Sequence, residues 1–133
     1  MNNFYTTSFF KNIINKTLND ELKWKHVPKG YRSRTSNVTR SIKDAYYIQP
    51  KEDRRLVIGN FKQDSINNEG EPIERTYLYM SFTDLQYNCL HEVVEYDLDN
   101  NYANLLFQLI KTIEIKINSI DEIINMFSDD FDF

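Results

Sequence analysis

Cysteine is nearly missing from this sequence. Cys89 stands alone, so no intramolecular disulfide can form and nothing calls for an oxidising compartment. Glycine and proline are almost as scarce, three of each in 133 residues, which argues against long linkers and a loop-dominated fold. Histidine occurs twice, at His26 and His91, too few to assemble a metal centre without carboxylates gathered from afar. There is no Gly-rich phosphate loop, because Gly30, Gly59 and Gly70 are isolated. No apolar run approaches the roughly 18 to 20 residues that span a bilayer. The N-terminal "MNNFYTTSFFKNIINK" lacks a charged region followed by a clean apolar stretch, so it does not read as a signal peptide. The resulting expectation is a cytoplasmic protein without cofactor, metal or membrane partner.

Aromatic and apolar residues are plentiful. With 41% hydrophobic and 14% aromatic residues the chain can offset its conformational entropy, and its length suits a single domain over residues 1–133. The abundance of Asn, Ile, Lys and Tyr is associated with AT-rich genomes, which suggests a low-GC bacterium, its phage or a mobile element. Charge is unevenly spread. Lys23 to Lys62 holds eleven basic residues against Asp44, Glu52 and Asp53, a balance of +8, while the remainder carries −12 and the chain −4. Such asymmetry points either to polyanion contact or to two regions that neutralise each other in the fold.

Hydrophobic periodicity predicts an α+β fold. Residues 4–22 read as an amphipathic helix through Phe10, Ile14, Leu18 and Leu22, with Thr6, Thr7 or Ser8 as cap. The stretch 27–40, with Pro28, Gly30 and a run of Ser, Thr, Asn and Arg, reads as a long, mobile basic loop. "IKDAYYIQ", "RRLVIGNFK" and "IERTYLYMSFT" read as strands of an antiparallel meander, separated by "PKED" and by the turn signal "SINNEGEP". "LQYNCLHEVVEYD" suits a fourth strand, although a helical face is also present, so the sheet has three to four strands. From Asn100 onward Tyr102, Leu106, Leu109, Ile113, Ile117, Ile120, Ile124 and Phe127 form a core-facing helical stripe. Ser119 with Glu122 fits a capping box, predicting a break near Asn118 and a pair of helices packed on one sheet face.

Candidates for chemistry are few. Cys89-x-His91 in a strand would place thiol and imidazole on one face, the seed of a metal site or of a small Cys/His hydrolase. A buried thiol beside a half-exposed histidine is the ordinary alternative. The basic stretch says more. Lys23, Lys25, Lys29, Arg32, Arg34 and Arg40 are interleaved with Trp24 and Tyr31, and farther on Arg54, Arg55 and Lys62 with Tyr46, Tyr47 and Phe61. Cations along the backbone and aromatic faces for the bases are what single-stranded nucleic acid binding requires.

The chain ends "SDDFDF", three aspartates and two phenylalanines after a helix whose macrodipole disfavours negative charge at its C-terminus, so the helix is expected to stop near Ser128. This acidic tail, 128–133, resembles the tip of bacterial single-stranded-DNA-binding proteins, with Asp132 where that family has proline. The resemblance implies that Phe133 anchors in an apolar pocket of a partner while Asp129, Asp130 and Asp132 ring it, with Phe131 alongside. The expectation is a non-enzymatic protein acting on single-stranded nucleic acid or a nucleic-acid-processing complex through residues 23–62 and the tail. The alternatives are an inhibitor of a host defence nuclease, of anti-CRISPR or anti-restriction type, acting by acidic charge mimicry, and the small hydrolase. Self-association stays open.

Overall fold

The computed structural model describes residues 6–37 and 40–130, without the side chains of 129 and 130. The first helix, α1 (Thr7–Leu18), begins where Thr6 accepts a hydrogen bond from the Phe9 amide at 3.2 Å. It is shorter than its apolar spacing predicts. Asp20 adopts φ 63°, a left-handed residue of the kind that ends helices, and turns the chain back. Leu22 and Trp24 then return to the core, where the Trp24 indole N–H donates to Thr17 Oγ1 at 3.0 Å.

Five antiparallel strands follow in sheet order β1 (Lys25–His26), β2 (Ser41–Lys51), β3 (Arg54–Ile66), β4 (Pro72–Thr83) and β5 (Cys89–Val94). The extra strand is β1, whose two residues pair with Tyr47 and Tyr46. A two-residue strand has no alternation to read, so only three or four were expected. "LQYNCLHEVVEYD" resolves as β5 followed by a 3-10 turn, Glu95–Asp97.

The sheet is buried on both faces. On one, Tyr46, Ile48, Leu56, Ile58, Met80 and Val93 meet Phe10 of α1 and Leu105, Leu106, Leu109, Ile110 and Ile113 of α2 (Asn100–Ile117). On the other, Ala45, Val57, Phe61, Tyr79 and Val94 meet Val27 and Tyr87. Burying an aliphatic side chain contributes about 1.5–3 kcal/mol, so this second core is a substantial part of the fold. Its cover is the stretch expected to be a mobile loop. Lys29–Thr35 forms a 3-10 helix, and the buried Thr35 hydroxyl hydrogen-bonds the Tyr79 hydroxyl at 2.6 Å. Gly59 sits between the two layers of contacts, where a Cβ would meet the Asp44 carbonyl oxygen and, at 2.8 Å, the Tyr79 ring.

Asp99 caps α2 by accepting from the Tyr102 amide at 3.0 Å. The helix stops at Asn118, as the spacing predicts, but the device is backbone: Ser119 takes φ 55° and donates its amide to the Lys116 carbonyl. The last helix, α3 (Ile120–Asp130), extends two residues past the expected stop at Ser128. It also leaves the core. Ile120, Ile124 and Phe127, expected to face inward, are 40%, 56% and 56% exposed, because the break at Ser119 swings α3 away from the sheet. Lys116 ties the corner together, donating to Asp121 at 2.7 Å and lying 3.3 Å from Asp20. Among the described residues no helix is long and apolar enough to cross a membrane.

Candidate nucleic-acid interface

Strand alternation sends Tyr47 and Arg55 to the sheet face opposite α1 and α2. Arg55 is held in place by its own donors: Nε bonds Gln49 Oε1 at 3.2 Å and Nη1 bonds the Leu85 carbonyl at 3.1 Å. Its guanidinium lies 4.7 Å from the Tyr47 ring and 4.6 Å from the Tyr87 ring. Tyr87 belongs to the β4–β5 loop at φ 66°, a conformation that side chains rarely adopt. Asp84 holds that loop, its Oδ1 accepting from the amides of Gln86 and Asn88, both at 2.9 Å. Those bonds, the Asn88 amide first, keep the Asp84 carboxyl below the usual carboxylate range.

The 3-10 helix completes the cluster. Tyr31 packs its ring 5.4 Å from Tyr87, and Arg34 lies 4.8 Å over Tyr31. The result is a connected series of Arg34, Tyr31, Tyr87, Arg55 and Tyr47. Each cation–aromatic contact contributes about 0.5–1 kcal/mol at exposed sites. Burial, with the neighbouring Tyr47 hydroxyl second, pushes the Tyr87 phenol up to about 12, so it stays neutral. Lys25 is paired with Tyr47 across β1 and β2, and Lys25, Lys29 and Arg34 are exposed. A hollow of about 350 Å³ beside the 3-10 helix is lined by Lys29, Arg32, Ser33, Arg40, Ser41 and Ile42.

Of the residues singled out in the sequence, Tyr31 and Arg34 belong to this cluster, Lys25 lies across from Tyr47, and Lys29 is exposed on the same 3-10 helix, at the hollow it shares with Arg32 and Arg40. The others are deployed elsewhere. Trp24 is 8% exposed and has no ring face to offer a base. Arg40 is inside: its guanidinium stacks 4.2 Å over Phe61, donates to Glu92 at 2.7 Å and bonds the Tyr96 hydroxyl at 3.0 Å. Its charge is neutralised within the fold. Arg32 turns inward to the carbonyls of Val27 and Lys43, at 3.3 and 2.7 Å. Lys23 is exposed at a separate groove beside α3, with Asp20 3.8 Å away. Asp129 and Asp130 close α3, while Phe131, Asp132 and Phe133 lie outside the described residues. Sequence reasoning missed Tyr87. A tyrosine between Gln86 and Asn88 carries no local signal, and its partners Tyr31 and Tyr47 are distant in the chain.

The Cys89–His91 pair is not assembled. An irregularity in the β4–β5 pairing aligns Cys89 with Thr83 but His91 with Phe82, adjacent residues that point to opposite faces. The thiol accepts from Ser81 Oγ at 3.3 Å, and the His91 ring lies 5.9 Å from Phe82. Burial pushes the Cys89 thiol up, the reverse of what a nucleophile requires. No group of three or more His, Cys, Asp or Glu among the described residues converges as a metal site. Comparison with family models, curated proteins and solved structures finds no match to this chain.

Proposed function

We propose that the protein is a non-enzymatic binding module for single-stranded nucleic acid. The observation that carries the reading is the connected Arg34–Tyr31–Tyr87–Arg55–Tyr47 cluster, with Lys25 across from Tyr47 and Lys29 exposed on the 3-10 helix that carries Tyr31 and Arg34. Lys25, Lys29 and Arg34 neutralise phosphates, while the exposed face of Tyr31 stacks a base once Arg34 swings from the ring to a phosphate. Tyr87 and Arg55 act behind them as a rigid support, since both are fixed by hydrogen bonds and ring contacts. Stacking contributes roughly 1 to 3 kcal/mol per base and tolerates any sequence.

The test is fluorescence anisotropy of a labelled single-stranded oligonucleotide titrated with the full chain. Arg34→Ala and Tyr31→Ala are each expected to weaken binding about tenfold or more. Raising salt should weaken it further, with a slope of about −2 for three neutralised phosphates. No binding at low salt would remove this reading and leave acidic charge mimicry as the stronger one.

A further inference from the structure

We infer that α3 is a docking helix for a partner protein whose groove is apolar along its floor and rimmed by lysine or arginine. Ile120, Ile123, Ile124 and Phe127 follow the i, i+3, i+4, i+7 spacing by which a helix lays one face into a groove. All four are exposed, Ile123 to 52%. Of twelve large hydrophobic residues exposed among those described, five belong to α3 once Met126 is counted, so the surplus is local to this element. The sheet face that they would otherwise cover is occupied by Leu105, Leu106, Leu109, Ile110 and Ile113 of α2. The start of the helix is tied to the body of the fold, since Lys116 of α2 binds Asp121 in the first turn of α3 and Asp20 in the turn after α1.

Charge selects the occupant. From Ile117 to the end, the sequence contains Asp121, Glu122, Asp129, Asp130 and Asp132 and no lysine or arginine. A second copy of the chain packed stripe to stripe would bring two such helices together, with like charges opposed across a desolvated contact. An anionic membrane surface would repel the same carboxylates. A basic rim around an apolar floor satisfies both features of the helix at once. This inference does not rest on oligonucleotide binding, which uses the other face of the sheet.

The experiment uses the full-length chain, isotopically labelled, and as probe a synthetic amphipathic helical peptide of leucine and lysine alone. Amide resonances of α3 and the Ser119 turn are expected to shift on titration, and a leucine–glutamate peptide should produce no shift. Ile124→Asp and Phe127→Asp should each weaken the leucine–lysine peptide at least about tenfold. Leu90→Asp, an exposed apolar position on β5, should leave its affinity unchanged. Because these side chains are exposed, all three variants should retain the parent's thermal unfolding profile. The inference is overturned if shifts fall mainly outside α3, if both peptides bind equally, or if the α3 variants bind as the parent does. It is equally overturned if sedimentation shows a dimer that Phe127→Asp dissociates, which would make a second copy the occupant.

Discussion

Arg34 and Arg40 are six residues apart in one basic stretch and end in opposite circumstances. Arg34 lies on the surface over a tyrosine ring, free to trade that contact for a phosphate. Arg40 is 10% exposed and Glu92 9%, and Ser36 Oγ, 2.6 Å from Glu92 Oε1, completes the pair. Desolvation offsets much of the Coulombic gain in such a pair, so its presence adds little net stability. Removing one partner is different, because a buried carboxylate then stands alone. Arg40→Met is expected to lower stability by about 3 kcal/mol, read as a fall in the urea midpoint at unchanged slope. Arg34→Ala, which gives up only its contact with the Tyr31 ring, should cost no more than about 1 kcal/mol. Equal losses in the two variants would contradict this division. Composition counts both arginines alike, so the sequence could nominate the stretch but not separate the exposed cation from the structural one.

At the scale of elements, β2, β3 and β4 were legible because β-branched and aromatic residues run through each, β4 also alternates, and turn signals separate them. The cover of the second sheet face was not. Ser81 and Thr83 look like solvent-facing positions, yet both are fully buried, and the 3-10 helix above that face has no apolar period to announce it. The α3 stripe shows the converse failure: its spacing is the same whether a helix faces the core or a partner, and the turn at Ser119 decides. A sheet buried on both faces carries tyrosines on each. Burial, ahead of the charges nearby, pushes Tyr46 up to about 12 on one side, while on the other Tyr87 rises to about 12 and Tyr79 higher. A phenol is neutral when protonated, and in the unfolded chain it titrates near 10. Below that value both states hold the proton and these groups add no pH dependence. Above it the unfolded chain releases protons first, so stability is lost progressively as pH climbs from about 10 through the folded values near 12. The urea midpoint should therefore be level up to about pH 8, ease down slightly as the half-buried Cys89 thiol begins to titrate in the unfolded chain, and fall more steeply beyond about pH 10. A midpoint that shows no steeper fall by about pH 11.5 would mean that the three phenols are not sequestered.

For the whole molecule, part of the +8 and −12 separated along the chain is neutralised across the fold, through Arg40–Glu92 and Lys62–Glu74, and two surfaces of unlike chemistry are left on different sides of the sheet. The arginine–tyrosine cluster sits on one face of the sheet, while α3 hangs from α2, which packs on the other. A packed layer is about 10 Å thick, and at 0.15 M ionic strength the Debye length is about 8 Å, so neither surface should feel much of the other's field. The two should therefore be separately mutable. At 0.15 M salt, Arg34→Ala should weaken the oligonucleotide and leave the leucine–lysine peptide untouched, and Phe127→Asp should do the reverse. In the double variant each loss should match its single variant within about 0.5 kcal/mol. At about 0.01 M salt the Debye length grows to about 30 Å, enough to span the molecule. There the added carboxylate of Phe127→Asp should weaken the oligonucleotide measurably, with no contact between the two sites. Coupling that persists at 0.15 M would show instead that the surfaces communicate through the sheet, and the picture of two independent faces would fail.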